Sequence, residues 1–283
     1  MRFVPMSELL YRARSERYAV PGFCVWNAET IEVVLRVATE VKAPVILMSG
    51  PGEFPLLSPR DLSAIAQALA KRFDVPAALH LDHGDSLEQV EICLAAGYSS
   101  VMLDFSTRPF DENVDALRRV AKMAHPLGVS VEGELGRIGR ADQVTTESHA
   151  ESTLTDPVEA AVFVKETGID ALAVSIGNAH GHYTTLPRLD FDRLARLHEA
   201  IQVPLVLHGG SGTPRADVQR AISLGIAKVN VASDVVTAAR QSLLEQWVAG
   251  KNLWVPAAQV VAMQKITNVL RNWFLISGAA GHA

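Results

Sequence analysis

The sequence predicts an α/β protein, a (β/α)8 TIM barrel with an N-terminal cap helix and an extra helix at the C-terminus. Three observations predict it. A short apolar run followed by a helical segment recurs eight times between residues 18 and 248. The runs are continuously apolar, as expected of strands buried on both faces. Most of them stop at a polar or ligand-type side chain, and barrels of this kind keep their chemistry at the strand ends. A doubly wound open sheet is the alternative, but such sheets usually have fewer strands.

The elements follow in order. Pro5–Arg17 has helical spacing (Leu9, Leu10, Ala13) and forms the cap. The run Tyr18–Trp26 ends in Asn27, and a helix over about Glu29–Lys42 carries Ile31, Val34, Leu35 and Ala38 on one face. Pro44–Met48 ends in Ser49 and a Gly50-Pro51-Gly52 turn. Ser58 with Pro59 starts the next helix, as N-cap and first-position proline. Pro76–Leu81 ends in Asp82-His83, and Ser86 caps a helix to Ala96. Ser100–Leu103 ends in Asp104 and precedes a helix over Asp111–His125. Val129–Leu135 carries Glu132 and Glu134, followed by a polar loop to Thr155 and a helix opened by Asp156-Pro157. Ala171–Ile176 leads to His180-Gly181, and the helix Phe191–Ile201 follows. Pro204–Leu207 leads to His208-Gly209-Gly210-Ser211-Gly212, with Thr213-Pro214 capping a helix to Leu224. Lys228–Val231 leads to Ala232-Ser233-Asp234 and a helix to about Val248. Pro256–Ile276 reads as one long amphipathic helix (Val260, Met263, Ile266, Val269, Leu270, Phe274), whose apolar face, with Trp273, packs on the barrel or joins a subunit interface. With no linker, residues 1–283 read as one domain.

Composition excludes several function classes. The chain has 283 residues, 48% of them hydrophobic, ample for one large core. The net charge is −5 without a block of like charge, so neither nucleic acid nor membrane is an expected partner. Cys24 and Cys93 each sit in an apolar run, which suits buried thiols in a reducing compartment better than a disulfide framework. The first residues are too polar for a signal peptide, and no run reaches the length of a membrane span, so a cytoplasmic location is expected.

The barrel brings the run-ending residues Asn27, Ser49, Asp82, His83, Asp104, Glu134, His180, His208 and Asn230 to one rim. Taken singly, each histidine is equally an isolated strand-end residue. Taken together, three histidines suit a catalytic zinc, which uses three protein ligands and leaves one position for water or substrate. Gly181, Gly209, Gly210 and Gly212 let backbone N–H groups approach an anion, and the helices after Thr213-Pro214 and Ser233-Asp234 turn favourable N-termini toward it. The loops after strands seven and eight are the usual phosphate site of such barrels.

Five blocks carry a family resemblance: Leu79–Asp85 (LHLDHGD), Val131–Gly136 (VEGELG), Thr167–Gly181 (TGIDALAVSIGNAHG), Leu205–Gly212 (LVLHGGSG) and Lys228–Asp234 (KVNVASD). In order and over nearly the whole chain, they resemble the zinc-dependent class II ketose-bisphosphate aldolases. The Gly-Pro-Gly after Ser49 and the lack of large insertions look closest to the tagatose-bisphosphate branch. The resemblance implies a zinc held by His83, His180 and His208, and Asp82 as the proton donor and base. It implies that Gly181, Gly209, Gly210, Ser211, Asn230, Val231, Ala232 and Ser233 hold dihydroxyacetone phosphate, with Ser49 and Asn27 as further substrate contacts. Asp104 and Glu134 would orient ligands or offer an alternative metal contact. A monovalent cation is allowed beside the zinc, and the assembly implied is a homodimer or homotetramer.

The sequence departs from the family in three places. Gly139-Arg140-Ala141-Asp142-Gln143 replaces a Gly-Gly-x-Glu-Asp run, so Asp142 stands for the glutamate that moves the C3 proton, one methylene shorter. Thr184 replaces a lysine common in fructose-bisphosphate enzymes, and Asn178 replaces a common threonine. His182 is an extra histidine, expected to face surface or substrate. The reaction expected is reversible cleavage of tagatose 1,6-bisphosphate to dihydroxyacetone phosphate and glyceraldehyde 3-phosphate. Alternatives are fructose 1,6-bisphosphate or another ketose phosphate, a zinc hydrolase on the same barrel, and a non-catalytic regulatory subunit.

Overall fold

A computed structural model describes residues 3–139, 154–181, 186–250 and 254–283. Eight parallel strands close a barrel in sequence order. They are β1 (Val20–Cys24), β2 (Val45–Ser49), β3 (Ala77–Gly84), β4 (Ser100–Leu103), β5 (Ser130–Leu135), β6 (Ala171–Val174), β7 (Leu205–Leu207) and β8 (Ile226–Val231). β1 pairs with β8 through Val20–Phe23 and Lys228–Val231, which closes the ring. The strands are buried along nearly their whole length, which is why they carry continuous apolar runs.

Helices alternate with the strands: α2 (Ala28–Glu40), α3 (Pro59–Ala70), α4 (Leu87–Ala95), α5 (Phe110–Ala124), α6 (Pro157–Thr167), α7 (Phe191–Ala200), α8 (Arg215–Ser223) and α9 (Ser233–Val248). Their starts are written locally. Ser58, Ser86 and Asp156 each accept backbone N–H groups of the following first turn, and Pro59 and Pro157 sit at the helix openings. Thr213 does not cap α8: its hydroxyl donates to the Gly209 carbonyl at 3.0 Å, and Pro214 opens the helix.

The cap helix, α1 (Met6–Glu16), buries Met6, Leu9, Leu10 and Ala13. Val4 N–H donates to the Ala77 carbonyl and Ser7 N–H to Ser130 Oγ, so the helix closes the end where β3 and β5 begin. The last helix, α10 (Val255–Ile276), packs on the barrel through Ile266, Leu270, Trp273 and Phe274, with the Phe274 ring 5.4 Å from that of Phe23. Val260 is not part of that face; it is exposed. Among the described residues no helix is long and apolar enough to cross a membrane.

One strand departs from its expected end. β3 does not stop at Leu81 but continues through Gly84. Its register against β4 slips between Leu81 and Gly84, and His83 adopts a left-handed φ of 49°. This bulge matters because successive side chains of a regular strand point to opposite faces.

Candidate active site

The bulge in β3 puts both Asp82 and His83 into the barrel mouth. His83 Nδ1 lies 2.7 Å from Asp104 Oδ2 at the end of β4, and its Nε2 lies 3.1 Å from Nε2 of His180 after β6. His208, just past β7, stacks its ring edge-on to His83 at 4.6 Å between centroids. Ligand atoms of the three histidines all lie within 4.8 Å of one another, and so do those of His83, Asp104 and Glu134. Three elements distant in sequence thus converge on one point.

Two buried polar atoms at that point, His208 Nδ1 and Glu134 Oε2, have no hydrogen-bond partner among the described residues. They are 3.5 Å apart. A buried polar group without a partner is costly, so such atoms mark a missing partner. The spacing suits a metal ion. Tetrahedral Zn–N bonds of about 2.0–2.1 Å place nitrogens roughly 3.3–3.4 Å apart, close to the observed 3.1 Å. Each outer ring nitrogen that is hydrogen-bonded faces a carboxylate: His83 Nδ1 that of Asp104, and His208 Nε2 that of Glu132 at 2.9 Å. That is the usual backing of metal-bound imidazoles.

The electrostatics favour positive charge at the centre. Burial opposes a charged His83, but Asp82, the Asp104 hydrogen bond and Glu134 outweigh it and raise His83 to about 10. Burial and the neighbouring His83 charge lower His180 to about 4 and push His208 well down. Burial and the nearby Asp104 charge raise Glu134 to about 8. Burial also works to raise Asp82, yet His83, Lys228, His208 and His180 prevail and hold it below its usual range. Asp82 Oδ1 accepts a hydrogen bond from Asn230 Nδ2 at 2.9 Å, which fixes the carboxylate toward the mouth.

The glycine loops are built by packing as much as by ligand approach. A Cβ on Gly209 would lie 2.0 Å from the Ala179 carbonyl, and its φ is 69°. Asn178 ties the same two loops together, accepting from Ile176 N–H and donating to the His208 carbonyl at 3.0 Å. Gly210 N–H donates to the Asn230 carbonyl, so that amide is already used. Ser211 Oγ accepts from Asp234 N–H in the first turn of α9, where Ala232 is the N-cap and Ser233 the first helical residue. Trp273 of α10 donates its indole N–H to Asp234 at 2.8 Å and lies against Gly210. Gly209→Ala should therefore destabilise the fold by about 2–4 kcal/mol through backbone strain and overpacking. Urea unfolding would show it; an unchanged midpoint would remove the packing role.

Other predicted residues land elsewhere. Asn27 caps α2, its side chain accepting from Thr30 N–H while Thr30 Oγ1 accepts from Asn27 N–H. Ser49 is buried with its hydroxyl 2.8 Å from Tyr98 Oη. Both side chains are engaged by the fold. Gly181 follows His180 at φ 98°, and Val231 ends β8 in the core. Asp142, Gln143, His182 and Thr184 lie outside the described residues.

Sequence reasoning missed a second polar layer beneath the rim. His80, Glu132 and Lys228 are fully buried inside the barrel. Lys228 Nζ donates to Glu132 Oε2 at 2.8 Å and lies 3.4 Å from His80 Nε2, while His80 Nδ1 meets Ser100 Oγ at 2.8 Å. The signal was present as a period of two. His80/Asp82, Glu132/Glu134 and Lys228/Asn230 each place two polar residues on the same face of one strand.

The chain matches the family model described as fructose-bisphosphate aldolase class-II over residues 4–282. It belongs to the class II aldolase family. Its fold also resembles solved structures. The YdjI aldolase from Escherichia coli K12 is 35% identical, with 99% of each chain covered and a TM-score of 0.89. A provisionally assigned fructose-1,6-bisphosphate aldolase from Coccidioides immitis is 30% identical, covering 97% of this chain and 96% of that one, with a TM-score of 0.87. The fructose-bisphosphate aldolase of Campylobacter jejuni shares the fold at 23% identity and a TM-score of 0.86. As a class II aldolase the protein is a lyase, and its family is typically metal-dependent.

Proposed function

We propose that this class II aldolase cleaves a ketose 1,6-bisphosphate, with tagatose 1,6-bisphosphate favoured over fructose 1,6-bisphosphate, to dihydroxyacetone phosphate and glyceraldehyde 3-phosphate. The observation that carries the reading is the Asp82 carboxylate close to three converging imidazoles, with His208 Nδ1 and Glu134 Oε2 buried there and unpartnered among the described residues. His83, His180 and His208 would hold zinc, which when bound supplies Lewis acidity toward the oxygens of a ketone substrate. Asp104 orients His83, and Glu134 offers a further oxygen beside it.

Asp82 takes the proton of the C4 hydroxyl as the C3–C4 bond breaks, and returns it to the aldehyde oxygen in condensation. Asn230 keeps that carboxylate aimed at the mouth. Gly181, Gly209, Gly210, Ser211 and the segment Asn230–Ser233, from the end of β8 to the start of α9, form the cradle for the phosphate of the three-carbon ketose. Asp142, on the loop after β5, moves the C3 proton of dihydroxyacetone phosphate. The protein works in the cytoplasm as a single-domain homodimer or homotetramer on a small phosphorylated sugar, and a monovalent cation accompanies the zinc.

Incubation with a panel of ketose bisphosphates tests the reaction. Dihydroxyacetone phosphate should be released fastest from tagatose 1,6-bisphosphate, and a chelator should stop the release. Chelator-insensitive cleavage would sink the mechanism, and a faster fructose isomer would reverse the substrate preference. Asp142→Ala should lower hydrogen exchange at C3 of dihydroxyacetone phosphate while leaving its binding intact. Unchanged exchange would assign that proton to another base.

A further inference from the structure

We infer that the ion pair Glu132–Lys228 inside the barrel is a positioning device for His208, setting which of its ring nitrogens faces the metal; this rests on the metal-site reading above. Glu132, Lys228 and His208 are all fully buried. A buried ion pair is rarely worth its desolvation as a stability device, and an apolar pair of similar volume does as well or better. Its place suggests another use. Glu132 shares its two oxygens between one cation and one imidazole: Oε2 receives Lys228 Nζ at 2.8 Å, and Oε1 faces His208 Nε2 at 2.9 Å.

An ionised carboxylate only accepts hydrogen bonds. His208 must therefore carry its proton on Nε2, which leaves the lone pair on Nδ1, the atom that has no hydrogen-bond partner among the described residues and lies 3.5 Å from Glu134 Oε2 in the histidine cluster. Lysine only donates. Lys228 therefore holds Oε2 in place and prevents the carboxylate from turning away from His208. His80 completes the arrangement: its Nε2 lies 3.4 Å from Lys228 Nζ and 3.7 Å from Glu132 Oε2.

This logic makes an isosteric change disruptive. In Glu132→Gln, the amide carbonyl must face the Lys228 ammonium, so its NH2 faces His208 Nε2. That nitrogen must then accept, the proton moves to Nδ1, and a protonated Nδ1 cannot ligate. Adding Lys228→Met frees the amide to turn its carbonyl back to His208 and its NH2 to His80.

Zinc affinity of the full-length protein is measured by competition with a chelator, and melting temperature of the metal-free form is measured alongside. Glu132→Gln should weaken zinc binding about 10–100-fold, the usual cost of losing such a backing partner. The double variant Glu132→Gln/Lys228→Met should recover most of that loss. Glu132→Leu/Lys228→Met, which removes both members of the buried pair and leaves no acceptor for His208, should fold and bind as weakly as Glu132→Gln. Wild-type affinity in either acceptor-deficient variant, or no recovery in the double variant, overturns the inference. His83→Ala is the separating control. If it keeps its zinc, the metal-site reading has failed; if it loses zinc while Glu132→Gln keeps wild-type affinity, only the positioning role has.

Discussion

His83→Ala is expected to strip the metal and abolish aldol cleavage, from about one zinc per chain in the parent protein to almost none. His83 has the largest effect because it meets every other part of the centre. Its Nε2 lies 3.1 Å from His180, its ring packs on His208, and its Nδ1 is held by Asp104. It also sits at the bulge, with a left-handed φ of 49° that costs on the order of 1–3 kcal/mol for a residue other than glycine. A strained backbone at a position that aims a candidate ligand inward matches a conformation kept for the site. Alanine relieves little of that strain, and the core strands are untouched, so circular dichroism should show a folded barrel. Elemental analysis after dialysis decides the matter. Zinc retained at parental stoichiometry would remove His83 from the ligand set.

The second large effect is expected at Asp82. Asp82→Asn preserves the size of the side chain and an oxygen that accepts from Asn230, but it cannot take a proton. Loss of a positioned general acid/base typically lowers rate by about 10²–10⁴-fold, and kcat for cleavage should fall within that range. Zinc should remain bound, because Asp82 Oδ1 is engaged by Asn230 and the ligand atoms belong to the histidines. Removing the Asp82 charge also withdraws some of the field that favours a cation, so the assay is run at saturating zinc. The split between kcat and metal content is the diagnostic. A variant that keeps kcat at full zinc would show that the proton moves elsewhere, and one that loses zinc together with kcat would make Asp82 part of the metal centre.

The membership of the chain in the class II aldolases makes these expectations specific to its own geometry. The hydrogen-bonded pairs His83–Asp104 and His208–Glu132 place a carboxylate behind two of the three imidazoles. The third, His180, is positioned through its backbone, whose N–H donates to the Gly139 carbonyl at 2.8 Å. That contact joins the loop after β5 to the histidine cluster, and Asp142 follows Gly139 by three residues in the sequence. Trp273 joins α10 to the proposed phosphate cradle by touching both Gly210 and Asp234. A helix outside the eightfold repeat thus buttresses the site.

By itself the sequence determined the architecture and the rim. Continuous apolar runs can be buried only between two covered faces, and eight of them separated by helices leave a closed barrel as the compact solution. Ser58, Ser86 and Asp156 mark helix starts because capping is settled by neighbouring backbone groups. His83, His180 and His208 were legible because each follows a run that stops. Other features needed tertiary structure. Asn27 and Ser49 also follow stopped runs, yet a cap and a tyrosine engage them, and nothing at a strand end distinguishes the two cases. The bulge at His83 depends on register against β4, set by pairing between strands and not by residue type. The buried layer of His80, Glu132 and Lys228 showed only as a period of two, because its meaning lies in which strands face each other across the barrel. Strand ends are local and can be read along the chain; which side chains meet inside the ring is decided by its closure.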